Sequence, residues 1–275
     1  MKSSDALWLG AGVALTRFVF RSHYLYDVDS VNFALALEAF DPETHQPHPP
    51  GYFLYVCAGR LMYRLLGDAN SALVGLSIVA SCAAVVLIYT LARAWFGRRA
   101  AVAAGLIFLF SPLAWFHGTV ALTYIIEASF SALVGYLCWQ SYSGRTSFLP
   151  LGAAVLGIAA GFRPSSLLML GPLWLLSMRP ASRQQRLGAL AVLGLCVGVW
   201  FVPMILASGG PARYLSSLCG LWSLVPGRQN AVTSAVLMSV ARFWTVLGIL
   251  GLCFGAASVL ALGARGRTDP ARRLF

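Results

Sequence analysis

Apolar runs separated by short polar breaks organise this chain from end to end. They fall at about 6–22, 70–92, 100–117, 120–140, 148–162, 165–178, 187–207 and 243–263. A bilayer-spanning helix takes about 20 mostly apolar residues, so the pattern predicts an all-α polytopic membrane protein of about eight transmembrane helices. Residues 1–275 form one domain on this reading, with no soluble C-terminal domain and one long external loop over 23–69. Two stretches of that loop keep helical spacing. In Val28–Phe40, Val31 and Leu35 form one apolar stripe and Phe33, Leu37 and Phe40 another, with Asp41-Pro42 as the stop. Residues 51–67 predict an amphipathic helix lying in the membrane interface, with Arg60 and Arg64 one turn apart. Between them His45–Pro50 reads as a stiff extended strut, because each residue before a proline is driven toward extended geometry.

Composition and charge sharpen this picture. The residues are 59% hydrophobic and 11% charged, with mean hydropathy +0.75, which excludes an ordinary soluble domain. A net charge of +11 raises nucleic acid as a partner, but the basic residues are dispersed between apolar segments and no nucleic-acid binding is expected. With the N-terminus cytoplasmic, the inner face receives Lys2, Arg93, Arg98, Arg99, Arg145, Arg179, Arg183, Arg186, Arg265, Arg267, Arg272 and Arg273, as positive-inside topology prefers. A ninth span over 51–67 would invert that distribution. The first span carries no cleavage signature and reads as a retained anchor. The six cysteines show no metal or redox spacing and read as small apolar residues.

The same topology gathers the polar chemistry on one face. Asp27, Asp29, Glu38, Asp41, Glu43, Asp68 and Glu127 fall there, with all four histidines, His23, His45, His48 and His117. Asp27 and Asp29 stand at the start of a predicted helix, where one caps it and either can serve as a catalytic carboxylate. His48, fixed by the proline strut, and Arg163, in GFRPSS between two short apolar segments, are candidate substrate-binding residues. Glu127, one or two turns inside a span, needs a cavity or a partner. His117 is placed to line a pocket, and Arg60 and Arg64 are external cations of the same face. The Asp27-x-Asp29 pair has the oxygen donors magnesium or manganese takes, but no metal is expected.

Some of these residues carry a resemblance. D-S-x-x-F at Asp29, Ser30 and Phe33, then H-P-P-G-Y at His48–Tyr52, resemble the first external loop of protein O-mannosyltransferase-like enzymes of the GT-C glycosyltransferase superfamily. The similarity extends through Ser111–Phe116, Glu127 and Gly161–Pro164, over roughly the first 180 residues. It implies a multi-span enzyme that moves a sugar from a polyprenyl-phosphate donor to a protein, glycan or lipid acceptor, with Asp29 as base and Tyr52 part of the site. Relatives of one branch carry Asp-Glu where this chain has Asp29-Ser30. Base, cations and the bilayer itself as partner suit an inverting transfer at the non-cytoplasmic face of a bacterial inner membrane. A transporter or flippase of lipid-linked substrates is the competing class. It calls for paired inverted repeats and mid-membrane charge, whereas here the charge crowds into one external loop.

Overall fold

The computed structural model describes residues 4–223, and these contain helices and turns but no strand. The elements are α1 (Ser4–Val19), α2 (Val28–Glu38), a 3-10 turn (Pro42–Thr44), α3 (Phe53–Leu66), α4 (Ala69–Phe96), α5 (Arg98–Phe110), α6 (Pro112–Thr119), α7 (Tyr124–Tyr142), α8 (Phe148–Phe162), α9 (Ser165–Ser177), α10 (Arg183–Ala207) and α11 (Pro211–Ser223). The predicted span 243–263, Cys253, and Arg228, Arg242, Arg265, Arg267, Arg272 and Arg273 lie outside the described residues.

Local chemistry starts these helices where the chain turns. Asp68 accepts the Ser71 N–H at 2.7 Å and caps α4, Ser182 and Gln185 form a capping box for α10, and Ser111 caps α6 with Pro112 at its first position. Each satisfies N–H groups that a helix start leaves unpaired.

The helices run between two ends of a bundle. At one end Asp5 of α1 receives Arg98 at 2.6 Å and the Tyr89 hydroxyl of α4 at 3.0 Å, and Gln185 of α10 reaches Thr146 beside α8. At the other end Asn70 donates to the Ser22 carbonyl, at the start of α4 and beyond the end of α1. Arg163, after α8, meets Thr123, before α7. So α1, α4, α5 with α6, α7, α8, α9 and α10 each pass from end to end, and the clusters Arg93, Arg98, Arg99 and Arg179, Arg183, Arg186 share one end. Outward faces carry apolar side chains, Leu168, Met169, Leu195 and Val199 among them, an exposure that marks an interaction or membrane surface.

Length qualifies the predicted spans. Only α4 and α10, among the described residues, are by themselves long and apolar enough to cross a membrane, or up to 3 spans if the bent pair α5–α6 is one. The predicted span 100–117 is therefore not a single helix. It breaks at Ser111-Pro112 with a bend of 58°, since proline cannot donate to the preceding turn. Helices α8 and α9, with 15 and 13 residues, fall short of a full span.

Four packing centres tie the passes together. The one beneath the site joins Phe33 and Leu37 of α2, Tyr55 and Val56 of α3, Leu73 and Val74 of α4, and Ile125 and Ile126 of α7. Thus the Phe33–Leu37 stripe of α2 faces the protein, while Val31 and Leu35 remain 40% and 42% exposed. The reading of the cysteines as small apolar residues of the core holds for buried Cys138 but not for Cys57 and Cys219, which are exposed on α3 and α11.

The proline segment is not an extended strut. Asp41 and Gln46 form a two-way backbone bridge, His45 takes a left-handed φ of 62°, and the Gly51 N–H closes a turn on His48 O. The Gln46-Pro47 and Pro49-Pro50 bonds are cis. Pre-proline sterics bias one residue at a time, and the Asp41–Gln46 hydrogen bonds override that bias by folding the segment onto α10. There Gly51, at φ 113°, sits so close that an added Cβ would come 2.9 Å from Met204 Sδ.

Candidate active site

The start of α2 separates its two aspartates. Asp27 is the N-cap, its Oδ1 accepting the Asp29 N–H at 2.9 Å. Asp27, expected above among the catalytic candidates, therefore holds the capping role. Asp29, two residues on, keeps its carboxylate free of that bond and 41% exposed. Ser30 points the opposite way, fully buried, and donates to the Ala121 carbonyl at 3.0 Å. A second acid at position 30 would be driven into the packed interior beneath α2, which explains why serine follows the aspartate here.

The folded proline turn brings His48 to Asp29. His48 Nδ1 lies 3.4 Å from Asp29 Oδ1, close enough for charge to be felt, though it has no aligned hydrogen-bond partner. The Nε2 side meets the Tyr52 hydroxyl at 3.2 Å, and the Phe33 ring packs against both, with centroids 5.6 and 5.2 Å away. Burial pushes the His48 pKa down, against the Asp29 carboxylate, which pulls it up; His45 and Arg163 add to the lowering. Burial likewise raises the Tyr52 phenol, with Arg163 opposing and Asp29, Tyr124 and Glu127 assisting. That last set of neighbours joins the loop to the membrane helices.

Arg163 anchors the second half. Its Nε lies 2.8 Å from Glu127 Oε2, its Nη1 donates to Thr123 Oγ1 at 3.0 Å, and its guanidinium lies 4.2 Å from the Tyr124 ring centroid. The hydroxyls of Ser165 and Ser166 donate to Glu127 Oε1 at 3.2 and 3.4 Å. Tyr124 stacks in turn on His117, centroids 4.6 Å apart, and His117 Nδ1 is sequestered without a partner. From this point an apolar groove of about 540 Å³ runs along α4–α7, lined by Ile88, Phe108, Ala114, His117, Tyr124 and Ile125.

Asp29, His48, Tyr52, Glu127, Arg163 and His117 thus belong to one connected group. Arg60 does not: its Nε and Nη2 donate to Leu37 O at 2.9 Å and Ala36 O at 3.0 Å, closing the carbonyl end of α2. Arg64 is exposed in the last turn of α3 and takes no part in these contacts. Thr123, Tyr124, Ser165 and Ser166 escaped the sequence reading. The serines stand just after Arg163-Pro164 in GFRPSS, and their role shows only in the fold, where both meet Glu127 on another helix and Ser165 also accepts from Arg163 Nε at 3.2 Å. Among the described residues no three His, Cys, Asp or Glu side chains gather as metal donors.

The family model described as the protein O-mannosyl-transferase TMEM260 N-terminal domain matches residues 42–186. That is more than half of the chain, and it holds His48, Tyr52, His117, Glu127 and Arg163. The chain belongs to this family. No curated protein and no solved structure matches. Membership in the TMEM260 family places the protein among glycosyltransferases of the O-mannosyltransferase type. Asp29 lies upstream of the matched segment and reaches it through His48.

Proposed function

We propose that the protein transfers mannose from a polyprenyl-phosphate donor to an acceptor hydroxyl, with inversion, on the non-cytoplasmic face, as a GT-C-type enzyme. The observation that carries this reading is the exposed Asp29 carboxylate held beside His48, in one electrostatic group with Arg163. Asp29 takes the proton of the acceptor hydroxyl as its oxygen attacks the anomeric carbon. The bond from that carbon to the phosphate oxygen breaks, and the phosphate leaves with the electron pair. Arg163, with its planar fork, receives the charge that grows on the phosphate. His48 and Tyr52 border the sugar, and the apolar groove beside His117 suits the prenyl chain. The arginine-rich end of the bundle, opposite the site, faces the cytoplasm by the positive-inside rule, with α1 and α4–α10 embedded in the bilayer. A protein hydroxyl is the acceptor that the family description favours.

The test uses membranes containing the full chain, a radiolabelled mannosyl polyprenyl phosphate and a protein acceptor. Asp29→Asn is expected to lower turnover by roughly 10²- to 10⁴-fold, the usual contribution of a general base. Full activity in that variant would remove Asp29 from the mechanism.

A further inference from the structure

We propose that α11 is a strap that clamps the 41–52 turn over the site, with Arg213 as the positioning residue that sets His48 against Asp29. The kinetic part of this proposal rests on the transferase reading above, whereas its structural part does not. Arg213 reaches from α11 to the turn and grips both of its outer acids. Nη2 lies 2.9 Å from Asp41 Oδ2 and Nε lies 2.5 Å from Glu43 Oε2. Asp41 is already committed through Oδ1 to the Glu43 N–H at 3.1 Å. One guanidinium therefore ties the cap of the 3-10 turn and the turn itself to a helix some 170 residues later.

The neighbouring residue grips the opposite side of the same segment. Tyr214 is 7% exposed, packs with Trp200 and Met204 of α10, and donates its hydroxyl to the Pro50 carbonyl at 3.0 Å. His48 lies between these two attachments, at Asp41–Glu43 and at Pro50. The turn is thereby held from outside by α11 while its inner side meets Asp29 and Phe33. Helix α11 itself joins α10 through Gly209 and Gly210, at φ 83° and 99°, left-handed backbone that glycine adopts freely. Among the described residues its packing is chiefly to the 3-10 turn and to α10. The ion-pair clasp at Arg213 and the Tyr214 anchor both lie in the first turn of α11, directly after this two-glycine joint, so the bend at Gly209-Gly210 is what brings the two side chains onto the turn.

The experiment follows the full-length protein in detergent or nanodiscs by deuterium exchange of peptides covering 41–52 and by diethyl pyrocarbonate labelling of His48. In Arg213→Gln, exchange and His48 labelling are expected to rise about 2- to 10-fold, the range set by exposed ion pairs, with the thermal midpoint of the bundle unmoved. The charge swap Arg213→Glu with Glu43→Arg, made together with Asp41→Asn so that the new glutamate meets no like charge, is expected to restore protection, whereas Arg213→Glu alone is not. In the transfer assay Arg213→Gln shifts the pH profile of turnover, as a change in His48 beside the base requires, and the swap returns it. Unchanged exchange in Arg213→Gln, or a swap that restores nothing, overturns the strap. A pH profile identical to wild type despite a loosened turn overturns the positioning role. If the wild-type chain transfers no mannose, the transferase reading falls, and exchange and labelling still decide the strap.

Discussion

Replacing Glu127 by glutamine keeps the shape of the side chain but leaves Arg163 as an unneutralised charge, and the structure sets how much that should cost. The pair is neither buried nor free: the two side chains are 20% and 23% exposed, with Nε and Oε2 2.8 Å apart. Charge centres about 4 Å apart attract by about 4 kcal/mol at an effective dielectric of about 20. Desolvation takes back most of that: exposed pairs contribute about 0–1 kcal/mol, while breaking a fully buried one costs about 3–5 kcal/mol. Arg163 also retains Thr123 and the face of Tyr124, which holds the loss down. We expect Glu127→Gln to destabilise by about 1–2 kcal/mol and Arg163→Met by a similar amount, the partners being only partly screened. The double variant should cost less than their sum, with a coupling of about 1–2 kcal/mol. The assay is a double-mutant cycle read by unfolding in detergent, with transfer measured in parallel. Activity separates the partners: Arg163→Met, and also Arg163→Lys, which lacks the planar fork, should abolish transfer, whereas Glu127→Gln should retain part of it. Strictly additive stabilities would refute the pair as an energetic unit, and full transfer by Arg163→Met would refute its phosphate role.

Two further outcomes follow from the loop. Burial makes folded His48 harder to protonate than the unfolded residue, so the unfolded chain binds the proton first as pH falls. The contribution is complete above the unfolded value of about 6.5 and is lost on acidification below it. Thermal midpoints between pH 7.5 and 5, chosen to bracket roughly that value, should fall more steeply for wild type than for His48→Gln, and parallel curves would contradict this. Gly51→Ala combines a φ of 113° with a Cβ 2.9 Å from Met204 Sδ. A loss of about 1–3 kcal/mol is expected, with faster exchange in 41–52, and a wild-type midpoint would show that α10 yields readily.

The helical class was legible in the order of residues, and so was a set of ionisable groups, Asp29, His48, Glu127 and Arg163 among them, that the fold brings together. Apolar periodicity and positive-inside charge are one-dimensional signals, and ionisable groups beside apolar runs stand out because they are costly there. Aspartate capping was legible as well, but not which aspartate: that was settled when Asp27 bonded the Asp29 N–H and α2 turned Ser30 inward. Arg60 shows the opposite limit of pattern reading. Its spacing from Arg64 suggested a basic face, yet its partners are carbonyls of α2 more than 20 residues earlier. The proline segment failed as a strut because its shape comes from Asp41 pairing with Gln46 and from Met204 and Arg213 closing over it. The order of residues thus fixes which ionisable groups stand beside apolar segments. Which of those charges meet, and which are committed to backbone, only tertiary structure decided, because hydrogen-bond partners far apart in the chain become neighbours only once the helices pack.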